Sequence, residues 1–332
     1  RTPMCGVPYH SCESYIARLI AKGYKVAICE QTEDPAQAKG LVDRDIIRII
    51  TPGTLIDSSM LEEGKNNYIG GVYADSRALG LCLCDISTGE FYVTSFPAGA
   101  EAMDHLKNEL GRFHPTEAVL SPAAFENEAL REFLKERLQC ACERSGAERF
   151  APEEAQKLVT RQFKTGLDTV PQGDTAAIRA AGGLLSYLYE TQKTDLGHIA
   201  SFTYYTSNHF MELDLTARQT LELTSTLRSK DKKGSLLWVL DKTKTAMGAR
   251  YLRTCIEQPF VQKDLIERRL ESLEELNEDV ITRDEIREYL NPIYDLERLI
   301  SRVVYQTANP RDLIAFRSSL EMLPAIKTLL QD

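Results

Sequence analysis

GSLLWVLDKTKTAMGARYLRTCIEQPF, residues 234 to 260, decides how the C-terminal part of the chain is read, because two helical patterns meet in it at an elbow. Leu236, Leu237, Val239 and Leu240 form an apolar run that ends at Asp241, and Tyr251, Leu252 and Ile256 share one face of the next helix. Thr245 is placed to cap that second helix, its hydroxyl accepting from an amide two or three residues on. Gly248 lies just inside the helix, where it costs about 1 kcal/mol relative to alanine, so the spacing predicts close packing against the backbone there. Pro259 stops the helix. Arg250 and Arg253 lie three apart on one face and suit an acidic neighbour or a phosphate; as a bare pattern the intramolecular ion pair is favoured over nucleic acid.

Downstream of the elbow the period stays helical. Helices are expected over Asp264 to Asn277, with Ile266, Leu270 and Leu273 inward, then over Arg283 to Leu290, Asp295 to Tyr305 and Arg311 to Leu330. In the last, Leu313, Phe316, Leu320 and Leu323 give a continuous apolar stripe, and Asn309 with Pro310 forms its start. Upstream, Asp214 or Thr216 can begin a helix with Leu221 and Leu223 inward. Lys230, Lys232 and Lys233 form a charge run in a turn, read as solvated.

Residues 67 to 96 switch to period two. YIGGVYAD, LGLCLCDIS and GEFYVTSF, joined by short turns, predict an antiparallel meander. An amphipathic helix over Ala100 to Phe113, a short strand at AVLSP and a helix over Ala124 to Leu138 follow. Pro152 opens a further helix that runs to Phe163, and AAIRAAGGLLSYLYET, 176 to 191, is a helix with small residues on one face. Gly182 and Gly183 lack the preceding strand and following lysine of a phosphate loop, so they are read as close helix packing. A sheet followed by alternating helices and strands resembles a ribonuclease-H-like layer arrangement. A nuclease of that kind needs carboxylates converging on metal ions. Asp75, Asp85 and Glu90 are the carboxylates placed on the meander, and they are read as solvated turn residues.

The first 60 residues carry a loop, PMCGVPYH, a helix over Ser11 to Lys22 capped by Gly23, a strand KVAICEQ, a turn at Asp34 and Pro35, and a strand RDIIRII ending at Thr51, Pro52 and Gly53. This α/β pattern is too short to close a core by itself. The apolar loop tip Met4 to Pro8 suits either a rigid turn or a wedge against a DNA minor groove.

Bulk properties narrow the classes. The 332 residues leave room for two or three domains, and 43% hydrophobic with 27% charged residues is a globular profile. No run approaches the roughly 18 apolar residues of a membrane span, so no membrane association and a cytoplasmic location are expected. A net charge of -9 argues against a general nucleic-acid coat without excluding a local contact. The eight cysteines and five histidines form no metal-spaced cluster, and Cys82 and Cys84 are read as buried thiols on one face of a strand. No metal site and no catalytic residue are expected.

Several blocks together are similar to the MutS family of bacterial DNA mismatch-recognition proteins: PMCGVPYH, AICEQTEDP and RIITPGT early, then MELDLTARQTLEL, the elbow with Gln258 and Pro259, and DLERLISRVVYQTANPRDL. Their order and spacing cover nearly the whole chain, most weakly in the middle. The resemblance implies a multi-domain α+β protein: residues 1–60 as the end of an α/β mismatch-binding domain, 61–195 as a ribonuclease-H-like α/β connector, and 196–332 as the first part of an all-α lever or core domain. It assigns a DNA-proximal role to Met4, Cys5, Gly6, Val7 and Pro8. The family-motif positions Asp214, Leu221, Glu222, Asp241, Thr243, Thr245, Gly248, Arg250, Pro259, Asp295, Arg302, Asn309, Pro310, Arg311 and Asp312 it makes structural. Thr220 and Cys255 depart from the family pattern, which usually has Asn and Trp there.

For function the resemblance implies a homodimeric clamp on double-stranded DNA with mismatches, linked to MutL through the connector. ATP and magnesium act in the full-length family protein, whose phosphate loop and aromatic-x-Glu wedge are not in this chain; the chain itself is expected to be non-enzymatic, with no cofactor. It would link mismatch-binding and ATPase domains and transmit conformational signals. The alternatives are a MutS-like paralogue acting on DNA junctions and a ribonuclease-H-like nuclease.

Overall fold

The structure, a computed structural model, describes residues 6–8, 11–32, 42–206 and 210–331. Met4, Cys5, Asp34 and Pro35 of the expectations above lie outside the described residues.

Helix α1 (Cys12–Ile20) closes on Gly23, whose φ of 80° is the left-handed turn expected of it. Strands β1 (Val26–Gln31) and β2 (Arg44–Ile50) pair antiparallel as a separate two-stranded sheet. Ile16, Ile20, Ile50 and Leu55 form the small cluster beneath it, while Tyr15 and Leu19 of the same helix remain exposed. So small a cluster cannot hold the hairpin alone; it is held from outside.

The period-two stretch forms β3 (Ile69–Ala74), β4 (Ala78–Asp85) and β5 (Glu90–Pro97), antiparallel in series. Helix α2 (Ala102–Phe113) leads to β6 (Glu117–Leu120), parallel to β3. The helix expected over Ala124 to Leu138 is broken into α3 (Pro122–Glu126), α4 (Glu128–Glu132) and a π-helical turn over Phe133–Arg137. Asn127 is the cause: its backbone is extended, and its side chain accepts from the amide of Leu130 at 3.0 Å, restarting the helix. Strand β7 (Ala141–Arg144), which periodicity did not signal, adds parallel to β6. Helices α5 (Pro152–Gln162) and α6 (Thr175–Gln192) follow, and β8 (Thr203–Tyr204) pairs with β5 to give a mixed sheet in the order β7-β6-β3-β4-β5-β8.

Alternation places successive side chains on opposite faces. Ile69, Cys82, Cys84, Phe91, Val93 and Val119 meet α5 and α6, while Val72, Leu81, Leu83, Ala118 and Leu120 meet α2 to α4. Cys82 and Cys84 are fully buried free thiols, as expected. Gly182 and Gly183 are packing glycines: a Cβ would come within 2.3 Å of Ala155 on the first and of the Phe150 ring on the second.

The remainder is helical: α7 (Leu215–Thr220), α8 (Leu236–Leu240), α9 (Ala246–Glu257), α10 (Lys263–Glu278), α11 (Val280–Leu290), α12 (Leu296–Val304) and α13 (Pro310–Leu329). The helices stand where periodicity put them, but their inward faces do not all find partners. Leu221, Tyr251, Ile266, Leu270, Leu273, Leu313, Leu320 and Leu323 are exposed, and of the run at 236–240 only Leu237 is buried. The physical reason is the packing: α8 lies on α9, α11 on α10 and α13, and α12 on α13, so each helix covers only a narrow strip of its neighbour. No described helix is long and apolar enough to cross a membrane.

Candidate functional site

The elbow forms as its sequence predicts. The Ser235 hydroxyl accepts from Trp238 N at 3.2 Å to start α8, and the Thr245 hydroxyl accepts from Gly248 N at 3.0 Å to start α9. The Asp241 carboxylate takes both the amide and the hydroxyl of Thr243, at 3.1 and 2.6 Å. Lys232 of the charge run also pairs with Asp241, while the run itself stays exposed, as expected. A Cβ on Gly248 would meet Thr245 Oγ1 at 3.1 Å and Thr243 at 3.5 Å, so the close packing predicted there is against the elbow itself.

What the elbow positions is Arg250. It is 4% exposed, and its guanidinium donates from Nη1 to Asp295 Oδ2 at 2.7 Å and from Nη2 to Asp295 Oδ1 at 2.8 Å, with Nη2 also reaching Glu297 at 2.6 Å. Burial works against its charge, but the hydrogen bonds and charges of the two carboxylates outweigh burial and raise the pKa further above the ordinary arginine value. Asp295 also caps α12, accepting from Arg298 N at 3.2 Å. The preference for an acidic neighbour at Arg250 is met, and Arg253 likewise lies 3.8 Å from Glu257.

Three arginines of this group face residues 62–65, the connection between the hairpin segment and β3. Arg298 donates to the carbonyls of Glu62 at 3.1 Å and Lys65 at 2.7 Å, Arg250 to that of Glu63 at 3.0 Å, and Arg253 to that of Gly64 at 3.4 Å. Four successive backbone acceptors are thus held by side chains of α9 and α12. Arg298 is 3% exposed; burial, and then the charge of Arg250, lower its pKa from the usual arginine value. Sequence reasoning missed Arg298 and Glu297. A signal for Arg298 was present in DLERLISRVVY, which puts Arg298, Ser301, Arg302 and Tyr305 on one helical face.

A carboxylate pair lies beside this grip. Asp85 and Glu90 are register partners across the β4–β5 turn, a like-charge pairing that is unfavourable unless something holds it. The Asn66 amide donates to Asp85 at 2.9 Å and to Glu90 at 2.8 Å, and the Tyr68 hydroxyl donates to Glu90 at 2.7 Å. Asp85 also accepts from Asn67 N at 3.0 Å and from the amide and hydroxyl of Ser87. Burial pushes the Glu90 carboxyl up to about 7; the charges of Asp85 and Glu297 add to this, while the Tyr68 hydrogen bond and Arg250 oppose it. The expectation of solvated turn residues is therefore corrected for these two: Asp85 is fully buried, and Glu90 is half-buried with its carboxylate held by Asn66 and Tyr68. Asp75 does stay at the surface, where its carboxylate caps its own turn at Arg77 and Ala78. Among the described residues no group of three or more His, Cys, Asp or Glu side chains is arranged to hold a metal ion.

The hairpin docks onto the sheet through RIITPGT. Glu117 of β6, fully buried, accepts from the Thr51 hydroxyl, from Gly53 N at 3.1 Å and from the Tyr187 hydroxyl at 2.6 Å. Gly53 is required by this approach, since a Cβ there would lie 2.8 Å from that of Ile69 and 2.9 Å from that of Glu117.

The other positions named from sequence fall elsewhere. Asp214 caps α7 by accepting from Ala217 N at 2.6 Å, Leu221 is solvent-facing, and Glu222, at φ 48°, accepts from Leu227 N at 2.6 Å. The Pro259 carbonyl accepts from Met211 N at 2.8 Å. Arg302 pairs with Asp312 at 2.7 Å, and Asn309 and Asp312 form a reciprocal capping box around Pro310 and Arg311. Gly6, Val7 and Pro8 are exposed, with the Pro8 carbonyl accepting from Ser11 N at 3.0 Å.

Comparison with known proteins follows the same segments. Family models described as MutS domain I, MutS domain II and MutS domain III match residues 1–59, 67–200 and 216–332. Curated relatives named DNA mismatch repair protein MutS include one from Lachnoclostridium phytofermentans, 50% identical over 99% of this chain and 35% of its own length. Others are from Acetivibrio thermocellus, 46% identical over 100% of this chain and 38% of that protein, and Ruminiclostridium cellulolyticum, 44% identical over 99% and 38%. The chain thus spans little more than a third of the length of these relatives.

Proposed function

The chain belongs to the MutS family of DNA mismatch repair proteins, and on that premise we propose that it acts as the coupling part of a mismatch-recognition machine. Residues 1–60 contribute to the mismatch-contacting domain, with Met4 to Pro8 near DNA. Residues 61–195 form a connector with a ribonuclease-H-like arrangement that offers a surface to MutL, and 196–332 begin the helical lever. Mismatched duplex DNA is the substrate of the longer assembly, a homodimer in which ATP and magnesium drive the cycle. No catalytic step is assigned to the residues described above.

One observation supports this most directly: Arg298, Arg250 and Arg253 hold the four carbonyls of residues 62–65, where the first two matched segments join, from helices of the third. A rotation of α9 or α12 therefore pulls on the hairpin segment and the sheet together. Backbone acceptors gripped by charged donors transmit such a movement better than apolar contacts, because the bonds are directional.

The test is Arg298→Ala in a full-length family protein carrying this chain. Basal ATP hydrolysis and DNA affinity should stay near normal, while the change in nucleotide turnover on adding mismatched DNA should fall about tenfold. Unchanged stimulation by mismatched DNA would overturn the reading.

A further inference from the structure

Helix α12 reaches past the 62–65 connection. Its gripping face continues from Arg298 through Ser301, fully buried, and Arg302 to Tyr305, at spacings of three, four and seven residues. At the far end Tyr305 packs against the core between the sheet and α6 and also meets Arg48 of the first segment. The Arg48 guanidinium of β2 lies 5.4 Å from its ring centroid, and the His198 ring meets it at an angle of 64° with centroids 5.2 Å apart. Arg48 is itself fixed in place, donating from Nε to Gln192 at 3.0 Å and from Nη2 to the Thr54 carbonyl at 3.0 Å. On α1 the charge of Asp57 and then burial raise the Glu13 carboxyl above its ordinary pKa, with the charge of Arg302, one turn before Tyr305, opposing them.

The Tyr305 hydroxyl is buried and has no hydrogen-bond partner among the described residues. An unpaired buried hydroxyl costs free energy, so the favourable contacts of this side chain are those of its ring. An aromatic face under a guanidinium already anchored at two other points is a cation–π contact of fixed geometry, stronger for being desolvated. The two-stranded hairpin, whose own cluster is too small to hold it, is held by α6 through Gln192, by Glu117 at Thr51 and Gly53, and by this ring contact.

We propose that Tyr305 is a positioning residue: its ring, held by α12, sets the pose of the β1–β2 hairpin through Arg48, so that movement of the helical segment reaches the hairpin directly. This makes α12 a strut with two attachments, the arginine grip on residues 62–65 at its start and the ring contact at its end. The two ends act on the first segment at different points, so a tilt of α12 rotates the hairpin where a translation would only shift it.

The experiment uses amide hydrogen exchange of the 332-residue chain and three variants. Tyr305→Phe keeps the ring and discards the unpaired hydroxyl, so exchange in β2 should match or fall below the parent rate. Tyr305→Leu keeps apolar bulk without the π face and should speed exchange of residues 44–50 about tenfold, well beyond any change in β3 and β4. Arg48→Met should raise β2 exchange to a similar extent, and Tyr305→Leu added to it should raise it no further. The proposal is overturned if Tyr305→Phe loosens the hairpin as much as Tyr305→Leu does, if Tyr305→Leu leaves β2 exchange at the parent rate, or if the Tyr305→Leu and Arg48→Met effects add.

Discussion

Arg250 and Asp295, 45 residues apart in sequence, meet in a two-pronged ion pair with both contacts at 2.7–2.8 Å, one partner being 4% exposed and the other the N-cap of α12. The pair does two jobs with one carboxylate, since Asp295 also accepts from the Arg298 amide. It thereby fixes α9 to α12 at the point where both hold residues 62–65.

Removing one partner strands the other. Arg250→Met should destabilise the chain by about 3 kcal/mol, because Asp295 and Glu297 lose their closest cation and Asp295 keeps only Arg298, 3.8 Å away. Arg250→Lys should recover less than half of that, since an ammonium cannot match the two-pronged geometry. Urea midpoints measure both, and a loss below about 0.5 kcal/mol for Arg250→Met would show that the pair is dispensable.

The Glu90 carboxyl gives the fold a pH signature. Its folded pKa, about 7, lies above the ordinary 4.5, so between these values the folded chain holds a proton that the unfolded chain has released. Its contribution to stability is complete below pH 4.5 and is lost as pH rises through 7, at up to about 1.4 kcal/mol per unit. Glu90→Gln removes the titration, so its stability relative to the parent should improve between pH 5 and pH 8. Denaturation curves at those two pH values decide it; a constant difference would assign the burial of Glu90 no such effect.

Gly53 has ordinary backbone angles to lose nothing by, yet no room for a methyl group. Gly53→Ala should cost about 1–3 kcal/mol through overpacking against Ile69 and Glu117 and should loosen the hairpin's seat on the sheet. Thermal melts read the first effect, and limited proteolysis within residues 26–50 the second. An alanine variant as stable and as protease-resistant as the parent would mean that β3 and β6 can part at little cost.

Local patterning was enough for most of the elements and, through its motifs, for the family. Period-two alternation at 67–96 put Ile69, Cys82 and Cys84 on one face and Val72, Leu81 and Leu83 on the other, and local capping chemistry placed Thr245, Asn309 and Pro310 at helix starts. These are short-range facts, written within a few residues of where they act. Tertiary structure alone decided which faces are buried and which charges meet. Leu270, Leu273 and Leu320 have the right spacing for a core and are exposed, because a stripe states only that a helix can be covered. Strand β7 exists because β6 offers it an edge, and the helix at 124–138 breaks at one asparagine. Glu90 looked like a turn residue until Asn66, Tyr68 and Asp85 closed around it. Arg298 holds the carbonyls of Glu62 and Lys65 from more than 230 residues away, and backbone acceptors carry no side-chain signature that a sequence could show. The joint is built from partners that only the folded chain brings within hydrogen-bond reach.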